Sequence, residues 1–412
     1  MSAPSSGEAW APPTAAAVQD AVREAVATRT PIRIAGRGSW LHAGWPVAPD
    51  ARLLRLDALR GITQYTPGDL TLTARAGTPL RDIAEATAAE GQWLTLDPWS
   101  VADDGGTIGA TIATASAGPF AQALGLPRDI ALGMEVVTGD GEVVRAGGRV
   151  VKNVAGFDLT RLMTGAWGTL GIITEVSVRL RARPEVDRTL ALAHPGPPES
   201  AADAAALLRR AAMAPLAAEL LNPLLASRLG VSATGSSVLL LRLGGNAERV
   251  DSEQSEAATL GESAVVGTDV WRAVRQCERS CPGALVIRWS QMPSLVTATW
   301  RHALECCAGC PDALIHASLA RGVVRAIIPA GDPASDAGAL ARVLGAGERP
   351  SGGRLFEGRR IAEQLPAPLW SAEPPAGGVD RLSRRVRLAF DPWHILNPGI
   401  LGEGLRSPLG SL

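Results

Sequence analysis

The sequence predicts an α+β chain of more than one domain, on three observations. Through the first 184 residues, short strands with period-two alternation are interleaved with capped helices and glycine-dense loops. After Pro184 the composition turns rich in Ala, Leu and Arg, with scattered Pro and Gly and no dense glycine motif. From Phe390 to Gly399 the chain becomes motif-like again. These changes of character divide it into residues 1–184, 185–385 and 386–412.

In order, Val18, Val22 and Val26 recur at four-residue spacing and predict a first helix over residues 14–28. Pro31 to Ala35 alternates Ile32 and Ile34 with Arg33 and runs as a short strand into Gly36-Arg37-Gly38-Ser39. Residues 70–76 alternate as a half-buried strand, after which Thr78 is expected to cap a helix that starts at Pro79 and stops near Gly91. Residues 105–118 contain almost nothing larger than Thr or Ile, a backbone bare enough to approach a large group closely. Gly139-Asp140-Gly141 joins two apolar runs, 130–138 and 142–146, as a hairpin, and residues 172–180 alternate as another strand behind Gly165–Gly171.

Composition narrows the function. The 412 residues are 46% hydrophobic and 20% charged, which excludes disordered and fibrous classes. Forty Lys and Arg against 41 Asp and Glu give a net charge of -1, so nothing invites nucleic acid or an anionic membrane face. No run of about 18 apolar residues marks a membrane span, and Met1 to Pro13 lacks the pattern of an export signal. A cytoplasmic location is expected. Five cysteines (Cys277, Cys281, Cys306, Cys307 and Cys310) then argue against a disulfide framework. Cys306-Cys307-x-x-Cys310-Pro311 shares elements with ferredoxin-type clusters but lacks their full spacing, so buried or free thiols are expected and no metal site. Basic side chains are almost all arginine, as codon bias from a GC-rich genome would give, and Lys152 is the single lysine.

A loop that holds a diphosphate presents several backbone N–H groups with little side-chain bulk. Gly36 to Ser39 meets that need behind a strand, but the Rossmann pattern fails: Leu41 occupies the third glycine position and Pro46 stops any helix. A phosphate loop of the Gly-Lys-Ser/Thr type fails too, because Asn153 follows the single lysine. Each glycine segment alone reads as a tight turn. Segments 36–39, 105–118 and 165–171 together read more economically as three walls around one extended ligand.

The run G-R-V-V-K-N-V-A-G-F-D-L-T-R-L-M-T-G-A-W-G-T-L-G-I-I-T-E-V, residues 148–176, resembles the signature of the vanillyl-alcohol oxidase/p-cresol methylhydroxylase superfamily of FAD-binding proteins. T-A-R-A-G-T-P-L (73–80) and D-P-W-H-I-L-N-P-G (391–399) are similar to its D-lactate and glycolate dehydrogenase branch. The resemblance is strong over 30–184 and at the C-terminal motif, and weak between about 185 and 385. It implies a two-subdomain FAD-binding domain over 1–184, a smaller cap-like α+β domain over 185–385, and a segment 386–412 that packs back on the first. It also assigns residues. Gly36, Arg37, Gly38, Ser39 and Trp40 match the loop along the FAD diphosphate. Gly105, Gly106, Thr107, Ile108 and Gly109, with Thr114, Ser116 and Gly118, match the segment that wraps diphosphate and flavin. Gly168, Thr169, Leu170, Gly171, Ile172 and Ile173 match the segment near the adenosine half, and Lys152 with Asn153 match a pair kept beside the flavin. Because Gly38-Ser39-Trp40 offers no histidine where some relatives attach flavin covalently, non-covalent FAD is expected.

Self-sufficient members of the branch oxidise 2-hydroxy acids with a base and cations taken from histidine-rich motifs. Here the five histidines, His42, His194, His302, His316 and His394, are scattered and none stands in Glu-His-Gly, so no catalytic residue is assigned. The resemblance therefore implies an FAD-binding subunit of a glycolate oxidase-type complex, active with a catalytic flavoprotein subunit and an iron–sulfur subunit, and reaching a membrane surface only through them. A structural subunit with a vestigial FAD cleft and a self-sufficient D-lactate dehydrogenase-like enzyme stay open as alternatives. Arg381-Leu382-Ser383-Arg384-Arg385-Val386-Arg387 reads as the solvated face of a helix.

Overall fold

A computed structural model describes residues 9–99, 105–148, 158–232, 235–277, 283–329, 343–344, 358–371, 373 and 381–402. The chain divides into two compact units, one of residues 1–118, 125–183 and 374–412, the other of 119–124 and 184–373. The helix Arg381–Phe390, which the expected boundary at 386 would cut, belongs whole to the first unit.

The strands of the first unit are β1 (Ile32–Ala35), β2 (Arg52–Arg55), β3 (Ile62–Thr66), β4 (Thr71–Arg75), β5 (Gln92–Trp93), β6 (Ala131–Val137), β7 (Val143–Gly147), β8 (Ile172–Arg179) and β9 (Arg181–Ala182). An antiparallel sheet runs β3-β4-β8-β6-β7, while β1 and β2 form a parallel pair and β5 and β9 an antiparallel one. Strand β8 is central because Ile172, Thr174, Val176 and Val178 alternate on one face, all buried, so that face stays in the core along its whole length. The helix Ala15–Thr28 starts where the Thr14 hydroxyl accepts from the Ala17 N–H (3.1 Å), and it packs Val18, Val22 and Ala25 into the same core. Residues 131–147 form the expected hairpin, β6 with β7.

Two local expectations change. Thr78 is not the cap of the following helix, Leu80–Ala88; Pro79 holds that position. The Thr78 hydroxyl turns back instead, accepting from the Gly61 N–H (2.9 Å) and donating to the Arg75 carbonyl (2.6 Å). The bare stretch 105–118 is not all loop: Ile108–Thr114 is a helix capped by Thr107, whose hydroxyl accepts from the Ala110 N–H. Its small residues serve contact between elements. A Cβ on Gly109 would collide with Ala76, and one on Gly36 would sit on the Thr107 hydroxyl, so these two glycines let the helix lie directly against the ends of β1 and β4.

The second unit is one antiparallel sheet of eight strands: β10 (Val186–His194), β11 (Ala217–Leu221), β12 (Ser237–Gly245), β13 (Ser263–Val266), β14 (Leu285–Ser290), β15 (Leu314–Ser318), β16 (Val323–Ile328) and β17 (Arg359–Gln364), in the order β13-β10-β12-β11-β15-β16-β14-β17. One row of it is polar. Glu219, fully buried, accepts from Ser318 and binds His316 Nδ1 at 2.9 Å, and Glu363 bridges Arg325 and Arg288. Burial pushes the Glu363 carboxyl up, but the two guanidiniums outweigh it and hold it below the usual range.

The C-terminal motif is stitched into the first unit by its side chains. Asp391 is fully buried, and its carboxylate accepts from the Ile395 and Leu396 N–H groups, each at 3.1 Å. That turn aligns Leu396 beside Ile32 in parallel, where the Ile32 N–H donates to the Ile395 carbonyl (2.7 Å) and the Asn397 N–H to the Ile32 carbonyl (2.9 Å). The Asn397 side chain then accepts from the Ile34 N–H (2.8 Å) and donates to the Trp167 carbonyl (2.7 Å). Asn397 has φ 42°, a left-handed conformation that Asn adopts more readily than most residues.

Two predictions follow from this stitch. Asn397→Asp puts an acceptor against the Trp167 carbonyl and should cost about 2 kcal/mol in denaturant unfolding; an unchanged midpoint would remove Asn397 from the argument. Burial pushes the Asp391 carboxyl up to about 6, against the pull of the Leu396 and Ile395 N–H groups and Arg387. With an ordinary value of 3.8 in the unfolded chain, the proton is held more tightly in the fold. The stabilisation is complete below about pH 4 and is lost as pH rises through about 6, up to about 3 kcal/mol in all. The stability of Asp391→Asn relative to the parent should therefore rise between pH 4.5 and pH 7, approximate limits taken from those two values; a flat difference would show that the carboxyl is not raised.

Candidate functional site

At the C-terminal end of β1 the chain turns through Gly36–Trp40, and this turn forms the floor of a cleft in the first unit. Its empty space comes to about 740 Å³, solvent mouth included. One wall is the small-residue face of the helix Ile108–Thr114, with Gly109, Ala110, Ala113 and Thr114. The other is the segment from Trp167 to Ile173. Trp40 and Trp167 meet edge to face at 6.0 Å across it, and Ile34, Leu56, Ile172 and Ile173 add apolar surface.

The polar side of the cleft is built from donors. Among the described residues, the backbone N–H groups of Gly36, Gly38, Ser39 and Trp40 give to no protein acceptor. The charged residues of the lining are Arg33 and Arg37, with no carboxylate among them. Unused amides in a tight turn, two guanidiniums and flat apolar walls make a donor set suited to a phosphate-bearing ligand with an aromatic ring. The helix Ile108–Thr114 contributes differently, because its first N–H groups are already taken: Ile108 gives to the Thr78 carbonyl, Gly109 to Ala76 and Ala110 to the Thr107 hydroxyl. It offers a bare surface rather than free amides.

Of the residues assigned from the sequence, Gly36, Arg37, Gly38, Ser39, Trp40, Thr107, Gly109, Thr114, Gly168, Gly171, Ile172 and Ile173 line this one cleft. Gly105, Gly106, Ile108, Ser116, Gly118, Thr169 and Leu170 do not; the Ser116 hydroxyl accepts from the Trp99 N–H, and Gly118 is pressed against the Asp97 backbone. Lys152 and Asn153 lie outside the described residues, as does Cys281. Arg33, Trp167 and Asn397 line the cleft without having been assigned. Asn397 carried a signal, an asparagine inside a quoted C-terminal motif, whereas Arg33 looked like the outward residue of a short strand.

No histidine, cysteine or tyrosine stands among the described lining residues. His316 is buried with Glu219, His302 packs edge-on against Trp289, and His194 pairs with Ser200. Cys306 is pushed up to about 11 by burial and the neighbouring Glu305, and Cys307 higher still by burial, so both stay protonated thiols. The described residues contain no cluster of His, Cys, Asp and Glu that could hold a metal ion, and no helix long and apolar enough to cross a membrane.

Comparison with known proteins agrees with this geometry. Residues 9–147 match the FAD binding domain family. The chain is 40% identical over 174 residues to glycolate oxidase subunit GlcE of Escherichia coli (strain K12), covering 42% of this chain and 49% of that protein. It is 33% identical over 237 residues to glycolate oxidase subunit GlcD of Bacillus subtilis (strain 168), covering 56% of this chain and 50% of the relative. The chain thus spans about half the length of these curated relatives. Among solved structures, p-cresol methylhydroxylase with substrate bound shares the fold with a TM-score of 0.72 at 16% identity, over 94% of this chain and 87% of that one. A 4-ethylphenol oxidase from Gulosibacter chungangensis does so with a TM-score of 0.69 at 16% identity, over 97% and 90%. Residues 9–147 are thus similar to the FAD binding domain family, and the fold of the chain is similar to that of p-cresol methylhydroxylase.

Proposed function

We propose that the chain is the FAD-binding subunit of a glycolate oxidase-type complex that oxidises a 2-hydroxy acid to the 2-oxo acid, with the base and the substrate-binding cations supplied mainly by a partner flavoprotein subunit. The observation that carries this reading is the cleft itself: amides of Gly36, Gly38, Ser39 and Trp40 that give to no acceptor among the described residues, two arginines without a lining carboxylate, and apolar walls, with the turn and the helix wall inside the residues that match the FAD binding domain family. Bound there, FAD would supply a hydride acceptor. The residues of this chain would hold it: the turn 36–40 would donate to its phosphates, the small-residue face of Gly109, Ala110 and Ala113 would leave room for it, and Trp167 with Ile172 and Ile173 would exclude water. FAD is held non-covalently, since the described lining offers no histidine, cysteine or tyrosine to attach it.

The same lining supports placing the chemistry on a partner, because among the described residues it offers no general base for a hydroxyl proton. A second flavoprotein subunit and an iron–sulfur subunit would take the electrons onward, and contact with a membrane surface would run through them, on the cytoplasmic side. The similarity to glycolate oxidase subunits GlcE and GlcD supports the multi-subunit reading.

The purified chain is expected to be yellow, to release all its flavin on acid precipitation, and to show little glycolate-dependent dye reduction until a partner subunit is added. A colourless chain would instead support a structural subunit with a vestigial cleft. Full activity alone would support a self-sufficient D-lactate dehydrogenase-like enzyme.

A further inference from the structure

The two arginines of the cleft are not equivalent. Arg37 has Asp57 within electrostatic reach: burial pushes that carboxyl up, Arg55 outweighs the burial, and Arg37 adds to the downward pull. Among the described residues, Arg33 has no such neighbour. Burial alone acts on its guanidinium, pushing it down to about 10, which leaves it charged at neutral pH. Its Nη2 donates to the carbonyls of Trp40 and Leu41, each at 3.3 Å, and Nε and Nη1 give to no acceptor among the described residues. The guanidinium thus occupies the carbonyl side of the turn, and the N–H groups of Gly36, Gly38 and Ser39 give to no acceptor among the described residues. A half-buried cation with no carboxylate partner is costly, and an anionic ligand in the same cleft would offset that cost.

We propose that Arg33 is the specificity-determining residue by which this cleft selects a diphosphate-bearing flavin over the bare flavin: it clamps the turn from the carbonyl side, and its charge is neutralised by the phosphates that the turn's amides receive. The proposal rests on the FAD reading above and adds to it a side chain that the glycine motifs did not indicate. A planar fork bridging two carbonyls while facing an oxyanion is a task for arginine; lysine would keep the charge and lose the fork.

The test uses the full chain freed of flavin, titrated with FAD and with riboflavin and followed by flavin fluorescence, for the parent, Arg33→Gln and Arg33→Lys, with thermal unfolding recorded for each. Arg33→Gln should weaken FAD about tenfold or more and leave riboflavin within about twofold, while Arg33→Lys, which keeps the charge and loses the fork, should recover only part of the FAD affinity. In the parent, FAD affinity should fall with ionic strength and riboflavin affinity should not, a measurement that stands even if Arg33→Gln does not fold. FAD binding by Arg33→Gln within about twofold of the parent, or an equal loss for both ligands, would overturn the proposal, the second outcome reducing Arg33 to a structural clamp. A parent chain that binds neither ligand would overturn the FAD reading itself, a failure recognisable before any variant is compared.

Discussion

The cleft depends on one side-chain amide. Asn397 satisfies the Ile34 N–H and the Trp167 carbonyl at once, and so ties the strand that feeds the turn Gly36–Trp40 to the segment that forms the opposite wall. These two backbone groups are far apart in sequence, and neither has a partner in its own strand or turn. A buried amide is one of few groups that can donate to one and accept from the other at fixed spacing. Asp391 holds the turn that delivers it, and the bonds between Ile32, Ile395 and Asn397 set its register. A residue of the C-terminal segment thus stands in the lining of the cleft, bonded to both sides of it.

That dependence explains how the glycines are distributed. Gly36 and Gly109 are required by packing: the turn must touch Thr107 and the helix must touch Ala76, with no room for a methyl group on either glycine. Small residues bring the helix Ile108–Thr114 close, and that closeness gives the cleft a smooth wall. The first N–H groups of the helix are spent inside the protein, so the unused donors of the described lining come from the turn after β1 and from Arg33. Glycine density marks where elements crowd together, and only part of that crowding serves a ligand.

Much of the first unit was legible from the residues. Val18 and Val22 on one helical stripe, the alternation through Ile172 to Val178 and the turn at Gly139–Gly141 are local patterns, and local patterns survive folding. The eight-stranded sheet was not legible, because β12 reads Val238-Leu239-Leu240-Leu241, buried on both faces, and a strand buried on both faces has no alternation to read. Thr78 misled for a similar reason: a capping residue type stood at a capping position, but Gly61, far along the chain, competed for its hydroxyl and won. Within the site, the glycine turns could be found because their constraint is steric and local, whereas Arg33 and Asn397 act through partners that only the tertiary structure supplies.

The charge of the cleft and the placement of the histidines then point the same way. A site that performs proton transfer needs a group that titrates near its working pH. The polar residues of the described cleft lining are arginines, threonines, serine and asparagine, with no histidine or carboxylate among them. The histidines that sit deep in the structure are committed elsewhere, His316 to Glu219 and His302 to the Trp289 ring and Cys306. Such a cleft is fitted to grip a cofactor and hold it still. Among the described residues its lining presents hydrogen-bond donors and apolar surface, and no histidine or carboxylate.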